Sequence, residues 1–291
     1  MTKTRKKATV FALLAAVLYA INSPCSKLLL DKIPSTMMAA FLYLGAGLGL
    51  FFVGIVQHAV GTKEKEQPLT RKELPYTAAM VVLDIAAPIF LMIGLTTTTA
   101  ANASLLNNFE IVATSIIALA VFKEIISKRL WLAISLVTLS SVLLSFEDMS
   151  SLSFSYGSIF VLLACICWGL ENNCTRMLSS KNPLEIVVIK GLCSGLGSLI
   201  IALCLGERPG NALYILCALL LGFVAYGLSI YFYIYAQRNL GAAKTSTYSA
   251  TAPFVGAVLS LLIFQQLPSL SYVIALVIML IGTYFAVTDS K

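Results

Sequence analysis

Short polar breaks divide this chain into apolar runs of nearly constant length. Ten such runs fall at about 8–30, 36–57, 74–95, 100–122, 130–146, 156–178, 184–205, 211–235, 243–265 and 270–288. A helix needs roughly 20 mostly apolar residues to cross the hydrocarbon core of a bilayer, so the pattern predicts an all-α integral membrane protein of ten transmembrane helices. Turn chemistry marks the breaks at Asp31-Lys32-Ile33-Pro34, Ser180-Lys181-Asn182-Pro183, Glu207-Arg208-Pro209-Gly210 and Gln265-Gln266-Leu267-Pro268. The one sizeable polar segment, His58 to Glu73, is too short for a domain.

Laid on itself, the chain repeats. Leu13 through Leu29 lies over Leu162 through Leu178, so that Tyr19 meets Trp168, Asn22 meets Glu171, Cys25 meets Cys174 and Lys27 meets Arg176; Pro34 then falls on Pro183. A slightly smaller offset aligns the later helices, placing Ala101 with Ala243, Ser104 with Ser246, Asp84 with Tyr226 and Phe122 with Phe264. Residues 1–149 and 150–291 thus form two five-helix repeats. Five is odd, so the second copy enters the membrane upside down relative to the first. Inverted-topology repeats are a signature of alternating-access transporters, whose sites lie near the midplane between the copies.

Composition agrees. Hydrophobic residues make up 59% of the 291 positions and charged residues 11%, against about 25% charged in soluble domains. The net charge of +7 does not predict a nucleic-acid partner, because no basic cluster is interleaved with aromatics on one face. With the N-terminus inside, only Lys27, Lys32 and Arg208 of the 20 lysines and arginines fall outside and Lys190 falls within a span. That bias is the positive-inside pattern and predicts both termini in the cytoplasm, in the plasma (inner) membrane. The basic start and apolar run imitate a signal peptide, but no A-x-A-like site follows and the segment recurs at the second repeat. It reads as a retained first helix. All seven cysteines lie in apolar segments without zinc-type spacing, so no metal or cofactor is expected.

Particular residues carry a resemblance. The sixth helix has Trp168-Gly169 followed by Arg176, the first has Tyr19-Ala20 and Lys27 at those places, and the fourth runs from Asn108-Phe109-Glu110-Ile111 to Lys123-Glu124. Together with ten spans and the duplication, these resemble the EamA branch of the drug/metabolite transporter superfamily. Ile111 stands where the family has proline, and Ala252 and Gln266 stand where the ninth helix would have acids. The resemblance implies helices 1–4 and 6–9 around a central cavity, helices 5 and 10 outside them, and a small-solute cargo.

Ionisable groups inside a span are functional candidates because the bilayer makes them costly. Four qualify: Asp84, Glu110, Glu171 and Lys190. Glu110 lies on a stripe with Ser104, Asn107 and Thr114, and Glu171 on a stripe with Trp168, Asn172 and Thr175, each spaced for one helical face. The repeat mate of the second stripe supplies Tyr19 and Asn22. Tyr226 on the eighth helix is a plausible cavity wall. Against a binding role stands a structural one: polar contacts between helices, or an ion pair between Glu171 and Lys190, since buried charges are usually paired. Gly45-x-x-x-Gly49 and Gly191-x-x-x-Gly195 read as close helix packing.

No Walker, HExxH or GxSxG motif is present, which argues against an enzyme. The expectation is a secondary transporter of a small amino-acid-like or other nitrogen-containing solute, working outward, with Glu110 and Glu171 contacting a cationic group or a proton. A multidrug or quaternary-amine exporter is the alternative within the class; a membrane enzyme or accessory subunit lies outside it. The expected partners are the small solute and the lipid bilayer, with a homodimer left open.

Overall fold

The structure, a computed structural model, describes residues 3–60, 67–123, 126–148, 153–178, 181–240, 245 and 248–288. The first span is made of two pieces, α1 (Lys3–Ala20) and α2 (Asn22–Leu29), which meet at Ile21. Pro24 accounts for the break: it has no N–H to offer the carbonyl of Ala20, four residues back. The second span is α3 (Ser35–Ala59), and the third, α4 (Leu74–Thr97), follows a short 3₁₀ turn at Arg71–Glu73. The fourth is again divided, into α5 (Ala100–Leu106) and α6 (Phe109–Phe122), and the fifth is α7 (Lys128–Ser145).

Two short antiparallel strands, β1 (Phe146–Asp148) and β2 (Ser153–Phe154), join the halves with Phe146 opposite Phe154. The second half comprises α8 (Tyr156–Leu178), α9 (Pro183–Cys204), an eighth span of α10 (Ala212–Gly222), a π-helical turn (Phe223–Leu228) and α11 (Ser229–Leu240), then α12 (Ala252–Phe264) and α13 (Leu270–Val287). Among the described residues nine helices are long and apolar enough to cross a membrane. The remaining run, predicted at 243–265, contributes the 13-residue α12; several residues before it lie outside the described part.

The duplication is visible in the turns. Lys123 closes α6 and Gln265 closes α12, both in the left-handed region at φ 56 and 52, a conformation uncommon for residues with a side chain. Ser127 and Ser269 then cap α7 and α13, their hydroxyls accepting the N–H groups of Leu130 and Tyr272.

The mates also pack on one another in opposite directions. Along α3 and α9, Leu44 lies against Gly195, Gly47 against Gly191 and Gly54 against Leu184. Numbering rises on one helix as it falls on the other. The same holds for α7 and α13, where Gly282 lies against Val137, the Ser140 hydroxyl donates to the Ala275 carbonyl and Arg129 reaches Thr288. The inversion deduced from an odd number of spans is thus present in the packing. Between α3 and α9, Gly47 and Gly191 make a very close approach: a Cβ added at Gly191 would sit 2.4 Å from the backbone nitrogen of Gly47. The outer surface is strongly apolar, with Phe52, Leu262 and Ile200 each more than 60% exposed, whereas the interior buries Asn22, Asp84, Glu171, Ser194 and Ser198. That distribution suits a lipid surround.

Candidate functional site

Three helices bring charge together at the centre. Lys190 of α9 places Nζ 3.1 Å from Asp84 Oδ2 on α4 and 3.0 Å from Glu171 Oε1 on α8. Tyr43 of α3 donates its hydroxyl to Asp84 Oδ1 at 2.9 Å, and Thr175, one turn along α8, donates to Glu171. Asp84 is fully buried and Glu171 nearly so. The ion pair anticipated between Glu171 and Lys190 exists, and Asp84 is its third member.

Glu110 stands beside this triad on its own partner. Asn172 Nδ2 donates to Glu110 Oε1 at 2.5 Å and lies 3.4 Å from Thr114 Oγ1, while Asn173 donates to the Thr114 carbonyl at 3.2 Å. Gly169 makes this contact possible. A Cβ there would come within 2.7 Å of Ala113, so only glycine lets α8 lie close enough to α6 for Asn172 to reach Glu110. Neighbours on α8 therefore face opposite charges, Glu171 the ammonium of Lys190 and Asn172 the carboxyl group of Glu110.

A third element is aromatic. The ring of Tyr226 lies 5.2 Å from Tyr43 and 6.0 Å from Tyr19, centroid to centroid. Asn22 Nδ2 donates to the Tyr226 hydroxyl at 3.1 Å, and Ser26 donates to Asn22 Oδ1 at 3.1 Å. Tyr226 sits within the π turn, a distortion that recurs at functional sites. Asp84 and Tyr226, equivalent in the two repeats, both address Tyr43.

The breaks in the spans converge beside this column. Ala20, Asn22 and Ser23 at the α1–α2 junction, Asn107 at the α5–α6 junction, and Pro253 and Gly256 at the start of α12 enclose a crevice of about 10 Å³. That is close to the smallest space that holds one water, so the helices must part before a solute can enter.

One detail corrects the sequence reading. Ser104, Asn107, Glu110 and Thr114 do not form one continuous helical face, because Asn107 and Asn108 separate α5 from α6; Asn107 lines the crevice while Glu110 turns to Asn172. Trp168 is buried within hydrogen-bonding reach of Tyr43, in the same cluster that holds Tyr226. Tyr43 was not singled out from the sequence, although a lone hydroxyl within the apolar run Met37–Gly49 is the signal that could have found it.

The centre offers one ammonium for three carboxyl groups, together with amide and phenol hydrogen-bonding partners. Among the described residues no group of three or more His, Cys, Asp or Glu side chains is placed to hold a metal ion.

Comparison with known proteins bears on this arrangement. The family model described as "EamA-like transporter family" matches residues 6–146 and again residues 155–288. An uncharacterized transporter of Methanothermobacter thermautotrophicus is 27% identical over 293 residues, spanning 95% of this chain and 85% of that protein. A solved crystal structure superposes with a TM-score of 0.64 at 16% identity, over 98% of this chain and 96% of the other; that likeness concerns the fold.

Proposed function

From the premise that the chain belongs to the EamA-like transporter family, and so is a multi-pass membrane transporter of two repeats, we propose that it carries a small amino-acid-like or other nitrogen-containing solute outward by alternating access. One observation carries the choice of cargo: Lys190 Nζ occupies a place between Asp84 and Glu171 at 3.1 and 3.0 Å. An ammonium is what that pair of acids is built to receive. A substrate amine can compete for the same oxygens, while Asn22, Asn172 and the phenols of Tyr19, Tyr43 and Tyr226 orient its polar remainder.

Three carboxyl groups against one lysine also leave room in the charge balance for a proton. Glu110, whose partner Asn172 is neutral, is the group proposed to carry it. The distribution of lysine and arginine supports a plasma-membrane orientation with both termini cytoplasmic.

The test is uptake into proteoliposomes across a panel of radiolabelled amino acids, amines and nucleosides, with and without a pH gradient. Glu110→Gln is expected to abolish flux driven by the gradient while leaving exchange. Full gradient-driven transport in both Glu110→Gln and Glu171→Gln would sink the coupling model. Transport confined to quaternary amines would point to the multidrug alternative.

A further inference from the structure

The acids at the centre and the ammonium between them come from different helix pairs. Asp84 and Glu171 stand on α4 and α8, which pack so closely that a Cβ added at Gly157 would lie 2.7 Å from the Gly94 carbonyl oxygen. Lys190 stands on α9, whose close contacts at Gly191 and Gly195 are with α3. The two carboxyl groups are thus held by one pair, and the lysine is inserted between them from the other. It is also the most accessible of the three: its side chain is 12% exposed, against 3% for Glu171 and 0% for Asp84. A solute approaching the acids meets the lysine first.

The acids cannot be left bare. Tyr43 donates to Asp84 Oδ1 and Thr175 to Glu171 Oε1, but a hydroxyl carries no compensating charge. Asp84 Oδ2 is buried, and among the described residues its only partner is the Lys190 ammonium. A buried carboxylate without a cation is costly, so whenever the lysine leaves another cation must take its place. The geometry also says which kind. Distances of 3.0 and 3.1 Å are N–H···O hydrogen-bond distances, and an ammonium has three protons to aim at oxygens on different helices. A primary ammonium can reproduce both contacts. A quaternary one has no N–H, and its methyl groups hold the nitrogen well beyond that distance.

We propose that Lys190 is a tethered stand-in for the primary ammonium of the cargo. It fills the acid pair in the empty carrier, yields it to a solute that brings N–H protons, and returns when the solute leaves. The empty carrier then crosses back with its acids neutralised, so net transport needs no exchange partner. This inference rests on the reading of the protein as an alternating-access carrier of a nitrogen-containing solute.

The experiment is chemical rescue of the full-length protein in nanodiscs. Lys190→Ala removes the side chain beyond Cβ, which is the size of propylammonium. At a hundredfold excess over its dissociation constant, n-propylammonium chloride should raise the melting temperature of Lys190→Ala by about 5–10 °C. The wild type, whose site is filled, should shift by less than about 2 °C, and tetramethylammonium chloride should stabilise neither. Lys190→Ala combined with Asp84→Asn has less charge to balance; it serves where the single variant does not purify, and should respond to the two cations in the same order. In proteoliposomes loaded with the panel member that the wild type carries fastest, Lys190→Ala should slow net efflux into solute-free buffer at least tenfold, and exchange against the same solute far less. No response to propylammonium in either variant, equal responses to both cations, an equal response in the wild type, or net efflux and exchange slowed alike would overturn the proposal. If the panel yields no transported solute while propylammonium still stabilises Lys190→Ala, the ammonium site stands and it is the cargo reading that fails.

Discussion

Replacing Lys190 by methionine removes a charge while keeping the length of the side chain. In the native protein its ammonium lies 3.0 Å from Glu171 and 3.1 Å from Asp84, whose side chains are 3% and 0% exposed. Breaking a buried ion pair by deleting one partner typically costs about 3–5 kcal/mol, because the other charge is left without compensation. One kcal/mol corresponds to roughly 2–4 °C for chains of 150–250 residues. Lys190→Met is therefore expected to lower the melting temperature by about 6–20 °C. The second change Asp84→Asn should restore much of the loss, since it leaves Glu171 as the single acid, still bonded by Thr175. Acidification should narrow the gap between Lys190→Met and wild type, because a protonated carboxyl no longer needs the ammonium. The measurement is fluorescence-detected size-exclusion thermostability of the four members of the cycle at several pH values. A Lys190→Met protein that melts within about 2 °C of wild type would show that Lys190 does not compensate these acids.

Two further outcomes follow from the packing and the inversion. Gly191→Leu would put a Cβ 2.4 Å from the backbone of Gly47, where no side chain can yield, so α3 and α9 must separate; a sharp loss of monodisperse protein is expected, and wild-type melting would refute the close contact. Cys25 and Cys174, both half-buried, are repeat mates near opposite ends of the fold. In variants retaining one of them, an impermeant thiol reagent should reach Cys25 only from outside and Cys174 only from inside, and saturating substrate should change the two rates in opposite directions; labelling of both from one side would defeat the inverted placement.

The spans were legible because a bilayer imposes length and apolarity on every crossing segment, and these are local properties of sequence. The run predicted at 74–95 is α4 (Leu74–Thr97), and that at 156–178 is α8 (Tyr156–Leu178). The inversion was legible by parity. The individual acids were legible too, since Asp84, Glu110 and Glu171 stand out against their surroundings. Their partners were not. Asp84 meets Lys190 across two helices far apart in the chain, and no periodicity within α4 or α9 encodes that meeting. The division of the fourth span at Asn107-Asn108 was missed because neither residue is a helix breaker as strong as proline; two adjacent amides, each able to compete for backbone hydrogen bonds, were the weaker signal. The π turn that carries Tyr226 leaves no mark in an apolar run, since one extra residue in a turn changes no composition.

The halves are copies, but at the centre they differ. Where the first repeat has the neutral Asn22 the second has Glu171, and where the third span has Asp84 the eighth has Tyr226. With two identical inverted halves, a carrier open to one side would become the same carrier open to the other by a half-turn about an axis in the membrane plane, with equal free energies by symmetry. Unequal mates lift that degeneracy. For an alternating carrier the empty protein then rests preferentially on one side, and each 1.4 kcal/mol of imbalance shifts the populations tenfold. In such a carrier the preferred resting face would be set by the unequal mates at the centre, Asn22 against Glu171 and Asp84 against Tyr226.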